Sequence, residues 1–202
     1  AIIECVKQQL RFVESRRIDL ADEERNGRFL EGTGSLVLDR RARIAYACRS
    51  PRTDEALVHE WARLMDYEPF LFDAATPDGT PVYHTNVLLW LGTDIAGLGL
   101  EWVAAAQRSE LIERLQSSGK RLLPLDDAQL RAFAGNMLEV SVPGEQPRLV
   151  MSASAAAALR TDQQQLLHVA GCVPLITPVP TIEQLGGGSV RCMLAEVPGA
   201  QP

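Results

Sequence analysis

The sequence has no run of basic residues and no long apolar stretch, and each absence excludes a class of partner. Its 20 Lys and Arg residues are outnumbered by 26 Asp and Glu residues, for a net charge of -6. Phosphate binding needs clustered positive charge, so no nucleic-acid partner is expected. The apolar run at residues 87–91, which no other run exceeds in length, ends before Gly92, far short of the roughly 18 residues that span a bilayer. We therefore expect no membrane partner, and this run predicts a buried strand.

Paired cysteine motifs and phosphate-loop motifs are absent as well. The cysteines, Cys5, Cys48, Cys172 and Cys192, form no C-x-x-C pair, which argues against a zinc ribbon or a redox motif. The Gly-x-Gly at residues 32–34 is not followed by Lys-Ser or Lys-Thr, which excludes a P-loop. No metal or cofactor is expected. Free thiols without a secretory signal pattern predict a cytoplasmic protein.

The first residues have the periodicity of an amphipathic helix. Its apolar positions are Ile2, Ile3, Val6, Leu10 and Val13, which fall on one helical face. Neither a capping residue nor a strand precedes this helix in the sequence. We therefore expect the natural chain to extend further upstream.

A recurrent order of elements follows: two strands, an amphipathic helix and another strand. Strands are predicted at residues 34–38, 44–48, 70–73, 87–91, 137–142, 148–152 and 192–196. Helices are predicted at residues 53–65, with Thr53 as the N-cap, and at residues 109–118 and 161–169. A period of about 40 to 55 residues favours a propeller-like or solenoid-like array, although alternating α/β proteins have a similar order.

Five short stretches combine glycine or small residues with polar residues at strand ends, where rigid scaffolds often present functional groups. They are residues 31–35, 50–54, 84–86, 135–139 and 186–192. The last stretch is a triple glycine followed by Ser-Val-Arg and Cys192. Cys192 could be a small core residue. Consecutive glycines let a ligand approach the backbone closely, however, and this loop favours Cys192 as a nucleophile.

A nucleophilic cysteine needs a group that takes its proton or stabilises its thiolate. His59 and His168 lie in predicted helices and are expected at the surface, whereas His84 precedes an apolar strand and is the candidate base. Glu31 stands in a turn beside Gly32. It either orients an imidazolium or binds a cationic substrate group, or it only accepts backbone N–H groups. Asn136 is predicted to stabilise a turn.

Five motifs, in their order along the chain, resemble those of the guanidino-group-modifying enzymes, the pentein superfamily. The likeness is greatest to the bacterial amidinotransferase-like group that includes citrulline-utilisation hydrolases. The motifs are FLEGTGSLVLDR (29–40), ACRSPRTD (47–54), VYHTNVLLWLG (82–92), FAGNMLEV (133–140) and VPTIEQLGGGSVRCMLAE (179–196). Each motif alone is weakly specific, whereas five in order are strongly so.

The resemblance implies an α/β propeller of five ββαβ-type blades around a central substrate channel. Residues 1–202 would form one catalytic domain that lacks an N-terminal blade. Cys192 matches the family nucleophile, His84 the general acid–base, and Glu31 the acid that contacts the histidine or the substrate. Arg52 would hold a substrate carboxylate. The other implied substrate contacts are Asn86, which stands where deiminases have a second acid, and Gly188.

The implied function is a cysteine hydrolase that acts on C–N bonds of guanidino or ureido groups in arginine- or citrulline-like amino acids. The Cys192 thiolate would attack the central carbon, and His84 would protonate the leaving nitrogen and then activate water. Glu31 would favour the charged imidazole. Two alternatives stay open: an amidinotransferase, and a non-catalytic propeller that serves as a binding module. The sequence leaves the oligomeric state open, a homo-oligomer included.

The same interpretation makes a geometric prediction. Glu31, His84 and Cys192 are far apart in the sequence, but a propeller places equivalent strand ends around one axis. The three side chains should therefore converge on one pocket, with Arg52 at its rim.

Overall fold

The computed structural model describes residues 2–10, 17–141 and 144–196, which fold into three small sheets with helices around them. The strands of this part of the chain are β1 (Leu36–Asp39), β2 (Ile44–Cys48), β3 (Glu68–Phe72), β4 (Leu89–Leu91), β5 (Ile95–Leu98), β6 (Arg121–Pro124), β7 (Leu138–Val140), β8 (Arg148–Ser152) and β9 (Val173–Thr177). Its α-helices are α1 (Ile2–Leu10), α2 (Gly32–Ser35), α3 (Glu55–Met65), α4 (Arg108–Ser117), α5 (Asp127–Arg131), α6 (Ala153–Ala158), α7 (Thr161–Val169) and α8 (Pro180–Leu185). The predicted α/β class is confirmed.

Each sheet is one ββαβ unit with the same topology. In the first unit, β1 pairs antiparallel with β2, and β3 adds to the other edge of β2 in parallel. A parallel pair needs a crossover connection, which α3 supplies. The β4-β5-β6 and β7-β8-β9 sheets repeat this pairing, with α4 in one crossover and α6 and α7 in the other. The repeat expected from the sequence therefore occurs three times in the described residues.

The middle strand of each unit is the most deeply buried, because it has a hydrogen-bonded neighbour on both edges and packs into the core. All residues of β2 and β5 are buried. One apolar core connects the three units, and its largest fully buried side chains include Tyr46, Phe72, Trp90, Leu111 and Leu149. The three units therefore share one main core, and a smaller separate cluster of Leu36, Ala47 and Val58 lies within the first unit.

The first strands of the units lie side by side, and this arrangement places the functional loops. β1 contacts β4, and β4 contacts β7. The residues before β1, β4 and β7 consequently come to the same region of the molecule, where α2 contacts the 3₁₀ turn Thr85–Val87 that leads into β4. The first strands also line a cavity of about 550 Å³.

Several predicted elements differ from the structure at their ends. The strand predicted at residues 192–196 is wrong: Val190–Met193 is a 3₁₀ turn, because the Cys192 N–H donates to Ser189 O and not to a neighbouring strand. Helix α3 begins after Asp54 and not after Thr53, since the Asp54 carboxylate accepts the Leu57 N–H at 3.0 Å. The strand predicted at residues 87–91 begins only at Leu89, because Val87 belongs to the 3₁₀ turn Thr85–Val87.

The N-terminal helix is confirmed over Ile2–Leu10. Val13, the last position of its predicted face, lies outside the described residues, as does Val142 at the end of the strand predicted at 137–142. Strands β5, β6 and β9 were not predicted from the sequence. Within the described part of the chain, no helix combines the length and the apolarity that a bilayer crossing requires.

Candidate active site

His84 and Glu31 form a hydrogen-bonded pair. His84 has an extended backbone immediately before the Thr85–Val87 turn, and its Nε2 lies 2.7 Å from Glu31 Oε2. Glu31 precedes α2, and its backbone N–H donates to Ser35 Oγ at 3.0 Å. This bond fixes the backbone from which the Glu31 side chain extends. The sequence left open whether Glu31 faces a histidine or only backbone N–H groups. The structure brings its carboxylate to the imidazole.

The imidazole of His84 packs against Gly34, a residue without a side chain. A Cβ atom on Gly34 would lie only 2.8 Å from His84 Cε1 and Nδ1, well inside ordinary van der Waals contact. Gly34 therefore provides the space that the ring occupies. The second glycine of the Glu31-Gly-Thr-Gly motif has this steric function.

Burial lowers the pKa of His84 below its ordinary value of 6.5, and this effect outweighs the opposing effect of Glu31, whose hydrogen bond and negative charge raise it. The positive charge of Arg52 lowers the pKa further. Glu31 thus favours the charged imidazole, as expected, but the net result is a histidine that is neutral at pH 7. A neutral imidazole is the form that accepts a proton.

Cys192 lies in the Val190–Met193 turn with its side chain exposed. Its sulfur is 3.3 Å from Asn136 Nδ2 and 3.9 Å from Asn86 Nδ2. A Cβ atom on Gly188 would lie 2.9 Å from the sulfur, so the thiol rests on the glycine backbone. No hydrogen bond joins Cys192 to His84 among the described residues; the two are linked through Asn86, which lies two positions after His84.

Asn86 is almost fully buried and holds two motifs together. Its Nδ2 donates to Thr33 O at 3.1 Å and also faces the Cys192 sulfur, whereas its Oδ1 has no hydrogen-bond partner in the described residues. The Thr33 contact fixes which end of the amide is nitrogen, because an oxygen there would face the carbonyl oxygen. The unpartnered atom of this side chain is therefore the acceptor oxygen.

Arg52 lies at the edge of this group, as expected. Its Nη1 is 3.6 Å from Glu31 Oε2, and its guanidinium carbon lies 5.2 Å from the centre of the Tyr83 ring. About half of its side chain is exposed, so its remaining N–H groups are available to a ligand. Glu31, His84 and Arg52 thus lie together, whereas Cys192, the third side chain of the predicted convergence, contacts Asn86 and Asn136.

Two residues of this region were not assigned to the site from the sequence. Tyr83 packs against His84 with its ring tilted by 53° and the ring centres 4.9 Å apart. Its hydroxyl donates to Gly187 O at 2.6 Å, which connects the histidine segment to the glycine loop. Asn136, predicted to stabilise a turn, instead extends its side chain to Asn86 O at 3.1 Å and to Cys192. Their signal in the sequence was that each lies within one of the five motifs, Tyr83 in 82–92 and Asn136 in 133–140.

The other cysteines differ from Cys192. All four are free thiols, with Cys5 exposed and Cys48 and Cys172 buried. Burial raises the pKa of Cys48 and of Cys172 to about 12, so both are protonated and inaccessible at neutral pH. Among the described residues, no group of three His, Cys, Asp or Glu side chains is arranged to bind a metal ion.

The residue before the cysteine is a buried arginine that lines the cavity between the first strands. Arg191 precedes Cys192, lines that cavity together with Thr33, and donates to Leu89 O at 3.4 Å. Burial lowers its pKa to about 10, so it stays positively charged at pH 7. Cys192, His84 and Glu31 are not part of the lining of this cavity.

A family model described as N,N dimethylarginine dimethylhydrolase, eukaryotic, matches residues 1–198. The chain belongs to this family. It is therefore related to enzymes that act on guanidino groups, and the pentein superfamily expected from its motifs is confirmed. No curated protein matches the sequence of this dimethylarginine dimethylhydrolase family member.

Several solved structures have a fold similar to that of this chain. The N-terminal domain of ArgZ, an arginine dihydrolase from Cyanobacteria, matches with a TM-score of 0.62 and 18% identity over 80% of this chain and 54% of that one. AgrE in complex with L-arginine matches with a TM-score of 0.65 and 18% identity over 81% and 22%. SxtG, an amidinotransferase from Microseira wollei, matches with a TM-score of 0.51 and 16% identity over 78% and 44%. The chain thus spans about half the length of the ArgZ domain.

Proposed function

We propose that the protein is a cysteine hydrolase that cleaves a C–N bond of a guanidino or ureido group in an arginine- or citrulline-like amino acid. The observation that carries the proposal is the buried, unpartnered Oδ1 of Asn86, on a side chain whose Nδ2 lies 3.9 Å from the Cys192 sulfur. A buried acceptor without a partner costs about 1–3 kcal/mol. Guanidino and ureido groups both carry N–H groups that would satisfy it.

In the first half of the reaction, the Cys192 thiolate would form a bond to the central carbon of the substrate group, and the π electron pair would move to the attached nitrogen or oxygen. The protonated form of His84 would then donate its proton to the leaving nitrogen as the C–N bond breaks. The hydrogen bond from Nε2 to Glu31 stabilises that protonated form. This step needs no group beyond those present.

In the second half, neutral His84 would take a proton from water, and the hydroxide oxygen would bond to the carbon. The C–S bond would break and return its electron pair to the sulfur, which regenerates the thiolate and protonated His84. The lowered pKa of His84 suits this step, because the imidazole must be neutral to act as a base.

Similar proteins support the covalent route. One ArgZ structure is described as covalently bound to a reaction intermediate, a cysteine-to-serine ArgZ mutant as bound to substrate, and a cysteine-to-alanine AgrE mutant as bound to L-arginine. These statements concern those proteins. They motivate the choice of an arginine-like substrate and of Cys192 as the nucleophile here.

We also propose that the three ββαβ units are consecutive blades of a propeller. The third sheet ends in β9, where Leu175 and Ile176 are about half exposed. Apolar side chains on an outer strand are a suitable surface for a further blade to cover.

The proposed function is tested with a panel of arginine, methylated arginines, citrulline and agmatine, with ornithine, citrulline and ammonia as assayed products. Cys192→Ser should abolish turnover and leave the fold intact, since a hydroxyl is a far poorer nucleophile of nearly the same size. Cys5→Ser, the same change at an exposed thiol on α1, is the matched control. Retention of more than about a tenth of kcat in Cys192→Ser would contradict the assignment.

Arg52 is expected to bind the substrate α-carboxylate. Arg52→Ala should raise KM for arginine and barely change KM for agmatine, which has no carboxylate. Equal effects on both substrates would mean that Arg52 only supports Glu31 and does not bind the carboxylate.

Two further arms of the panel distinguish the alternatives. Addition of glycine as an amine acceptor would give an amidino product if the enzyme is an amidinotransferase, and only ammonia-releasing hydrolysis if it is a hydrolase. Tight binding of arginine without any product would favour the non-catalytic binding module.

A further inference from the structure

The side chain of Asn136 is buried, and both of its amide atoms lie next to the sulfur of Cys192. Nδ2 is 3.3 Å from the sulfur, and Oδ1 accepts from the thiol at 3.5 Å. Nδ2 also donates to Asn86 O at 3.1 Å. These partners lie 50 and 56 positions away in the sequence, so the side chain does not serve the local turn in which its backbone takes part.

The orientation of this amide is determined by its second contact. An oxygen in the Nδ2 position would face the carbonyl oxygen of Asn86, so that position must be the nitrogen. A primary amide has two N–H groups: one binds Asn86 O, and the other is available to Cys192. When the sulfur is a thiol, it can donate to Asn136 Oδ1; when it is a thiolate, only the N–H can pair with it.

Gly135 makes this contact feasible. A Cβ atom at Gly135 would lie 2.7 Å from the carbonyl carbon of Val87 and closer still to its oxygen. The chain around Gly135 therefore packs directly on the backbone that follows Asn86. This close approach brings the next residue, Asn136, within reach of both Asn86 and Cys192.

We propose that Asn136 is a catalytic residue that stabilises the thiolate of Cys192 with a fixed N–H group. The inference rests on the proposed function, in which Cys192 is the nucleophile. The thiol loses its proton to His84 or to solvent, and the N–H then compensates the negative charge until the sulfur bonds to carbon. The same N–H donates to the thiolate again when the C–S bond breaks during hydrolysis.

The test measures the rate of Cys192 alkylation by iodoacetamide as a function of pH, with the modified peptide quantified by mass spectrometry. Asn136→Ala should lower the rate at pH 7 about tenfold and move the midpoint of the profile upward by about one pH unit, the effect of losing one hydrogen bond to a charged group. Asn136→Asp, nearly identical in shape, should have a larger effect because it brings a second negative charge to the sulfur.

Two controls accompany the measurement. Exposed Cys5 is an internal reference thiol, and its alkylation profile should be the same in every variant. Asn26→Asp makes the same chemical change at an exposed position and should leave the Cys192 profile unaltered. Circular dichroism identifies a variant that fails to fold, in which case the other Asn136 variant decides.

An unchanged Cys192 profile in a folded Asn136 variant would overturn the proposal. The outcome is separable from the proposed function, because alkylation needs no substrate. A shifted profile without turnover of any substrate in the panel would contradict the hydrolase and leave the role of Asn136 in thiolate stabilisation standing.

Discussion

Gly188→Ala tests whether the glycine loop positions the sulfur of Cys192. The added Cβ would lie 2.9 Å from the Cys192 sulfur and 3.1 Å from its Cβ, where ordinary contacts are about 3.5–4.0 Å. Rotation about the Cα–Cβ bond of Cys192 moves the sulfur but not the Cβ atom. The clash therefore cannot be relieved by a rotamer change alone, and the turn itself must shift.

The required displacement of the sulfur is roughly 0.6–1 Å. A misplacement of that size typically costs about 10²-fold in rate, and it would also lengthen the 3.3 Å contact between the sulfur and Asn136. We expect kcat of Gly188→Ala to fall about a hundredfold, with a loss of unfolding free energy of about 1–3 kcal/mol. Steady-state turnover and urea unfolding measure the two quantities.

Gly187→Ala is the matched control, because its Cβ would meet no atom within 4 Å. Gly187 has a φ of 70°, so alanine there should cost about 1–2 kcal/mol of stability with a much smaller effect on turnover. If Gly188→Ala kept kcat within about threefold of the wild type, the loop would not position the nucleophile.

The remaining predictions concern the histidine and the backbone contact beside Val87. Glu31→Gln should lower the pKa of His84 further, because Glu31 raises that pKa, and Arg52→Ala should raise it, because Arg52 lowers it. An NMR titration of His84 measures both changes, with exposed His59 and His168 as references. Because the unfolded chain protonates His84 first, stability should fall as the pH drops through 6.5, and His84→Gln should reduce this dependence in urea unfolding. Gly135→Ala should cost about 3 kcal/mol or more, since its Cβ would overlap the backbone of Val87; an unchanged unfolding midpoint would refute this.

Much of the architecture could be predicted from local patterns. The apolar runs of β2 and β8 and the amphipathic pattern of α3 are strong signals because burial selects residue type position by position. Short strands such as β6 and β9 have mixed burial, and no period distinguishes them from loops. The end of the chain was predicted wrongly because an apolar run after Cys192 has the composition of a strand, while its backbone hydrogen bonds are local.

The sequence by itself determined the order of the motifs, the first ββαβ unit and the residue types able to do the chemistry, because each of these is written in consecutive residues. Only the tertiary structure decided which side chains face one another. The contact between Asn136 and Cys192 spans 56 positions, and that between Tyr83 and Gly187 spans 104. Such contacts depend on β1, β4 and β7 lying side by side, which brings the loops before them together, and on the Val190–Met193 turn packing against β8. No local pattern records that packing.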